Sequence, residues 1–168
     1  MTYQILSSST FHENFKIIYE DSPTKQSLTN SYVEVPLSYI NYKPSPGSSC
    51  VIYQFSFHVF ADSGENERNL FVKLQYSNDN GSSWSDWGDN TECFLGSAAF
   101  DLRMKTSIDL KWALNTSGWN SNKTLRIVAK EDPGSDTALH QDNDDFLDES
   151  SSYSNQFYNP SVSCYSVE

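Results

Sequence analysis

Every second residue of VIYQFSFHVF, positions 51–60, is large and apolar: Val51, Tyr53, Phe55, Phe57 and Val59. Successive side chains of an extended chain point to opposite faces, so this spacing commits the segment to a strand with one buried face rather than to a helix. Gln54, Ser56 and His58 share the other face with Ile52 and Phe60. The alternation returns in LFVKLQY, which groups Leu70, Val72, Leu74 and Tyr76, and in SIDLKWAL, which groups Ile108, Leu110, Trp112 and Leu114. TLRIVAK repeats it with Leu125, Ile127 and Ala129. FKIIYE and SYVEVPLSYINYK alternate less regularly, the second interrupted by Pro36, which suits an edge strand or a bend. SVSCYSVE, after Pro160, reads as a closing strand.

Clusters of Gly, Asn, Asp, Ser and Pro separate these segments, giving about seven to nine strands and an all-β class, a sandwich or a barrel. Helical signals are thin: ALNTSGWN and parts of FLGSAAFDLRMK hold no sustained apolar stripe, so little or no helix is expected. At 168 residues the chain suits a single domain. Residues 1–30 read as an amino-terminal arm with a first strand, and residues 31–168 as the sandwich. The acidic run HQDNDDFLDESSSYSNQ has few apolar residues and belongs on a surface connection before the last strand.

With 22 acidic against 11 basic residues the formal charge is −11, which repels a phosphate backbone and argues against nucleic acid as a partner. The longest apolar stretches are too short and too interrupted to cross a bilayer. The start, MTYQILSSSTFHENF, lacks the basic opening and apolar core of a secretory signal. Cys50, Cys93 and Cys164 cannot all pair within the chain and lie too far apart for a zinc knuckle, so they read as free, mostly buried thiols of a protein assembled in a reducing compartment. Asn80-Gly81-Ser82, Asn115-Thr116-Ser117 and Asn122-Lys123-Thr124 match the glycosylation triplet, a pattern that arises often by chance in Asn- and Ser-rich chains.

The densest local signal is SNDNGSSWSDWG, residues 77–88. Ser77, Asp79, Gly81 and Trp84 fit a structural turn: Asp79 can accept hydrogen bonds from the turn's amides, Gly81 can take positive φ, and Trp84 can fold over the base of the hairpin. The pattern resembles the Asp-box of sialidase-like propellers, but it occurs once, in a chain too short for several four-stranded blades. Trp84-Ser85-Asp86-Trp87-Gly88 also brushes against the paired-Trp motifs of cytokine receptors and thrombospondin repeats, whose stacking basic residues are missing from the neighbouring sequence. Trp84, Trp87 and Trp119 remain as candidate contacts to a partner or a glycan.

No catalytic constellation stands out. His12, His58 and His140 lie outside any Ser, Cys or metal context, and there is no nucleophile elbow, phosphate-cradling loop or His-Glu-x-x-His. Asp142, Asp144, Asp145, Asp148 and Glu149 raise two alternatives, a glycosidase pair or a calcium loop. A loose loop does not fix the separation that glycosidase carboxylates require, and the run lacks the glycine and terminal glutamate of an EF-hand. The expectation is a chain with no cofactor, no metal and no enzymatic activity.

The order of these features resembles the small jelly-roll sandwiches that decorate virus and phage particles. SYVEVPLSYINYKPSPGSSCVIYQFSFHV, then LFVKLQYSNDNGSSWSDW, the Trp112 strand, LRIVAK and FYNPSVSCYSVE follow one another, and Pro-x-Pro-Gly-Ser-Ser before a long aromatic strand is similar to the trimeric tumour-necrosis-factor-like jelly rolls of virions. The likeness spans the chain from about residue 31 onward and includes no diagnostic signature. It implies a non-enzymatic structural component assembled in a host cytoplasm, carried in the virion and often trimeric. Such a protein associates with itself and with the major capsid or other virion proteins, cementing a shell or presenting a receptor-binding surface. The alternatives are a carbohydrate-binding or receptor-binding sandwich using Trp84, Trp87 or Trp119, and a glycan hydrolase.

Overall fold

The computed structural model describes residues 15–17, 26–61, 69–88, 93–96, 104–131, 137–139, 141–142, 156–157 and 160–167. Among them every regular element is a strand: β1 (Phe15–Ile17), β2 (Gln26–Ser27), β3 (Val33–Glu34), β4 (Ile40–Tyr42), β5 (Cys50–Ala61), β6 (Asn69–Ser77), β7 (Ser85–Asp86), β8 (Cys93–Gly96), β9 (Met104–Asn115), β10 (Lys123–Glu131), β11 (Thr137–Leu139), β12 (Gln141–Asp142), β13 (Gln156–Phe157) and β14 (Ser161–Val167). The four strongly alternating segments and the tail form β5, β6, β9, β10 and β14, the strands expected from the sequence. No helix among the described residues is long and apolar enough to cross a membrane.

In the first sheet β5 is central. β9 pairs along its whole length on one edge, while β14 covers residues 50–56 and β11 covers residues 59–61 on the other. β1 lies outside β14, and β2 outside β11. The second sheet centres on β10 and β6, which pair antiparallel from Thr124↔Ser77 to Glu131↔Leu70. β3 and β4 succeed one another along the far edge of β10, and β7 and β8 along the far edge of β6. With β3–β4 and β7–β8 each taken as one interrupted strand, and the short strands β2, β11, β12 and β13 set aside, eight principal strands remain. Their orders are first-eighth-third-sixth in one sheet and second-seventh-fourth-fifth in the other. That arrangement, with the last strand between the first and third, is the jelly roll.

The inner faces are those set by the alternation. Val51, Tyr53, Phe55 and Phe57 of β5 are buried against Val72 and Leu74 of β6 and Leu125, Ile127 and Ala129 of β10, in one cluster that also takes Leu110, Leu114 and Val162. Each fully buried large apolar side chain of this kind contributes about 1.5–3 kcal/mol. Phe55 and Phe57 stack with ring centroids 5.2 Å apart.

Two buried tyrosines join the sheets through their hydroxyls. Tyr53 of β5 donates to the Ser38 carbonyl at 2.6 Å, and Tyr42 of β4 is hydrogen-bonded to Ser166 Oγ of β14. Desolvation raises the pKa of both phenols, keeping them protonated.

Pro36 breaks the β3–β4 strand as the sequence predicts, with Leu37 at φ 67°. At that bend the Ile127 amide loses its ladder carbonyl. Ser38 Oγ takes its place, accepting from Ile127 N at 2.9 Å and donating to the Val35 carbonyl at 2.7 Å.

Of the cysteines, Cys50 and Cys164 are free thiols, half-buried and buried respectively. Burial pushes the Cys164 pKa well up, so it remains an inert thiol.

Candidate functional site

The turn at Ser77–Trp84 is built by one carboxylate. Asp79 accepts from Ser77 Oγ at 2.6 Å, from the Ser83 amide at 2.9 Å and from Ser83 Oγ at 2.6 Å. Ser77 Oγ in turn accepts the Gly81 amide at 2.8 Å. Asn80 and Gly81 take φ 55° and 92°, the left-handed conformations that Asn and Gly tolerate best. Although exposed, Asp79 is lowered from 3.8 to about 2, chiefly by the hydrogen bonds from Ser77 and then Ser83.

The turn delivers Trp84 onto the outer face of the second sheet. There the Arg126 guanidinium lies 3.8 Å from the indole ring and the Tyr39 ring meets it edge-on at 5.8 Å. Arg126 is held in place by Gln75 Oε1 and Glu34 Oε2, each at 3.0 Å. A basic residue therefore does stack on the first tryptophan of the pair, supplied by β10 rather than by the surrounding sequence. This pairing covers one face of Trp84.

Trp87 goes the other way. Its amide donates to the Leu74 carbonyl at 2.9 Å, extending the β6–β7 ladder by one residue. Its ring meets Tyr76 edge-on at 5.1 Å and lies tilted at 48° to Trp119, also at 5.1 Å.

Trp119 comes from the turn between β9 and β10, which is pinned by three bonds. The Ser117 amide donates to Asn115 Oδ1 at 2.7 Å, the Trp119 amide to the Thr116 carbonyl at 2.9 Å, and Thr116 Oγ1 to the Ser48 carbonyl at 2.6 Å. Gly118, at φ 73°, turns the chain back so that Trp119 closes the end of the core, 5 % exposed and edge-on to Tyr42.

Between this turn and the hairpin lies a recess of about 380 Å³, within the usual range of ligand pockets. Tyr76, Trp87 and Trp119 line its aromatic side; Asp86, Lys123 and Asn115 are among its polar lining, with Ser117, Gly88 and Gly118 completing it.

Lys123 sits 4.7 Å over the Tyr76 ring and donates to Asn78 Oδ1. Desolvation lowers its pKa. Asp86 accepts from Gln75 Nε2 at 2.8 Å and pairs with Lys73 at 3.1 Å; these bonds, Gln75 first, lower its pKa. The Trp119 indole N–H is buried and has no hydrogen-bond partner among the described residues.

The structure thus brings Trp87 and Trp119 together and sets Trp84 apart. Sequence reasoning missed Tyr76, Asp86, Asn115, Ser117 and Lys123 as pocket residues. Asn115-Thr116-Ser117-Gly118 carried a legible turn signal, but the meeting of Lys123 with Tyr76 depends on the β6–β10 register. Among the acidic candidates, Asp144, Asp145, Asp148 and Glu149 lie outside the described residues, as do His12 and His140. His58 is half-buried on the outer face of β5. Among the described residues no cluster of His, Cys, Asp and Glu is arranged to hold a metal ion.

No family model and no curated protein matches the chain. Among solved structures it is similar to the structure of infectious bursal disease virus Gt strain at 8% identity and a TM-score of 0.28, covering 88% of this chain and 33% of that one. The chain thus spans about a third of that structure's length.

Proposed function

We propose that the chain is a non-enzymatic virion structural protein of jelly-roll type, decorating or cementing a capsid or tail through self-association and contacts with neighbouring shell proteins. The observation that carries this reading is the strand order, with β14 between β1 and β5 and β10 between β3–β4 and β6. Viral shells and lectins use that architecture repeatedly.

The outer face of the first sheet supports the reading as an association surface. Tyr165, Ile52 and Ala113 stand side by side across β14, β5 and β9, and Val167 extends the row. On one side of the row the registers place Ser163, Gln54 and Lys111, and on the other Val167, Cys50 and Asn115. An apolar row with polar residues beside it suits a subunit contact, and closed symmetry repeats a modest contact at every neighbour. A homotrimer is the assembly this reading takes.

The test is localisation. Antiserum against the purified chain is applied to particles isolated from the cells that produce it, with immunogold imaging and mass spectrometry of the particle fraction. Labelling of the particle surface at stoichiometric abundance is expected. Recovery of the chain solely in the soluble fraction would overturn the proposal.

A further inference from the structure

We infer that the recess between the β6–β7 hairpin and the β9–β10 turn is a binding site for a neutral hexopyranose ring, such as the terminal residue of a glycan. The inference stands independently of the structural role proposed above, because it rests on the chemistry of the recess rather than on strand order.

Two features select this ligand class. The first is the aromatic wall. Trp87 is half-buried, and its ring and that of Trp119 are tilted at 48° rather than closed on one another. A pyranose presents a face of C–H groups that packs on an indole, while its hydroxyls point outward to the rim.

The second is the mixture of donors and acceptors in the lining. Asn115 and Ser117 on one side and Asp86 and Lys123 on another supply both kinds of group, as a ligand whose hydroxyls both donate and accept requires.

Charge argues against an anionic ligand. Among the described residues lining the recess there is one cation, Lys123, and one anion, Asp86, while the whole chain carries −11. An acidic sugar or a phosphate would enter against that field. Trp84 takes no part, since Arg126 occupies one of its faces and it does not line the recess.

The test is saturation-transfer NMR on the full chain with methyl β-galactopyranoside, methyl α-mannopyranoside and methyl N-acetyl-β-glucosaminide at millimolar concentration, and 3′-sialyllactose as the acidic arm. Saturable tryptophan fluorescence gives the affinities. Transfer to the ring protons of at least one neutral glycoside is expected.

Trp87→Ala and Ser117→Leu should each weaken binding by about tenfold or more, and Trp84→Ala by less than about twofold. Ser117 is exposed, so Ser117→Leu narrows the entrance without touching the core and decides the matter even where Trp87→Ala unfolds. No transfer to any neutral glycoside, transfer to the sialoside alone, or binding that survives Ser117→Leu unchanged would overturn the inference.

Discussion

Ser38 offers the sharpest perturbation of the fold because one small hydroxyl repairs the break in the β3–β4 strand. In Ser38→Ala the Ile127 amide, in the middle of β10 beneath a fully buried side chain, loses its acceptor, and the Val35 carbonyl loses a donor. Alanine fills the space of the serine without replacing either bond.

A buried donor left unpaired costs about 1–3 kcal/mol, with about 2 kcal/mol the central expectation. In a domain of this size each kcal/mol moves Tm by about 2–4 °C, so the variant should melt about 4–8 °C lower. Thermal and urea unfolding followed by tryptophan fluorescence would measure the loss, and hydrogen exchange would report faster opening at the Ile127 amide. Ser82→Ala is the control: Ser82 Oγ also bonds a carbonyl, that of Asp79, but on an exposed turn, and its removal should stay within about 0.5 kcal/mol. A Ser38→Ala protein that melts within about 1 °C of the parent, with Ile127 equally protected, would refute the reasoning.

Two further outcomes follow from the hairpin. Because folding lowers the Asp79 pKa, its ionised form supports the turn fully above the ordinary value of 3.8, and that support is lost as pH falls through about 2. The Ser83 amide resonance should therefore titrate with a midpoint near 2; a midpoint at 3.8 would contradict the bonding described. Arg126 over Trp84 should give a coupling of about 0.5–1 kcal/mol in a double-mutant cycle of Arg126→Gln and Trp84→Leu, measured by urea unfolding, and zero coupling would contradict the stacking.

The strands that form the core were legible because burial of one sheet face writes a period of two directly into the chain. Val51–Phe57 and Leu70–Leu74 carry it without interruption. Pro36 was equally readable as a bend, since its missing N–H and fixed φ act locally.

What stayed hidden depends on register. Nothing near Ser38 in sequence signals that it will serve Ile127, and nothing near Trp84 announces Arg126. The recess has the same character, with Tyr76 and Trp87 brought by one hairpin, Trp119 by the β9–β10 turn and Lys123 by the start of β10. Short pieces such as β2 and β11 also lack a periodic signal, because two or three residues cannot express one.

Mass in solution tests the self-associating structural role most directly. Light scattering of the purified full chain at micromolar concentration should return three times the 19.1 kDa of one copy. Ile52→Lys, which places a charge in the middle of the apolar row, should return one copy with an unchanged β-sheet circular dichroism spectrum. A parent protein that stays at the mass of one chain across the concentration range would contradict the account.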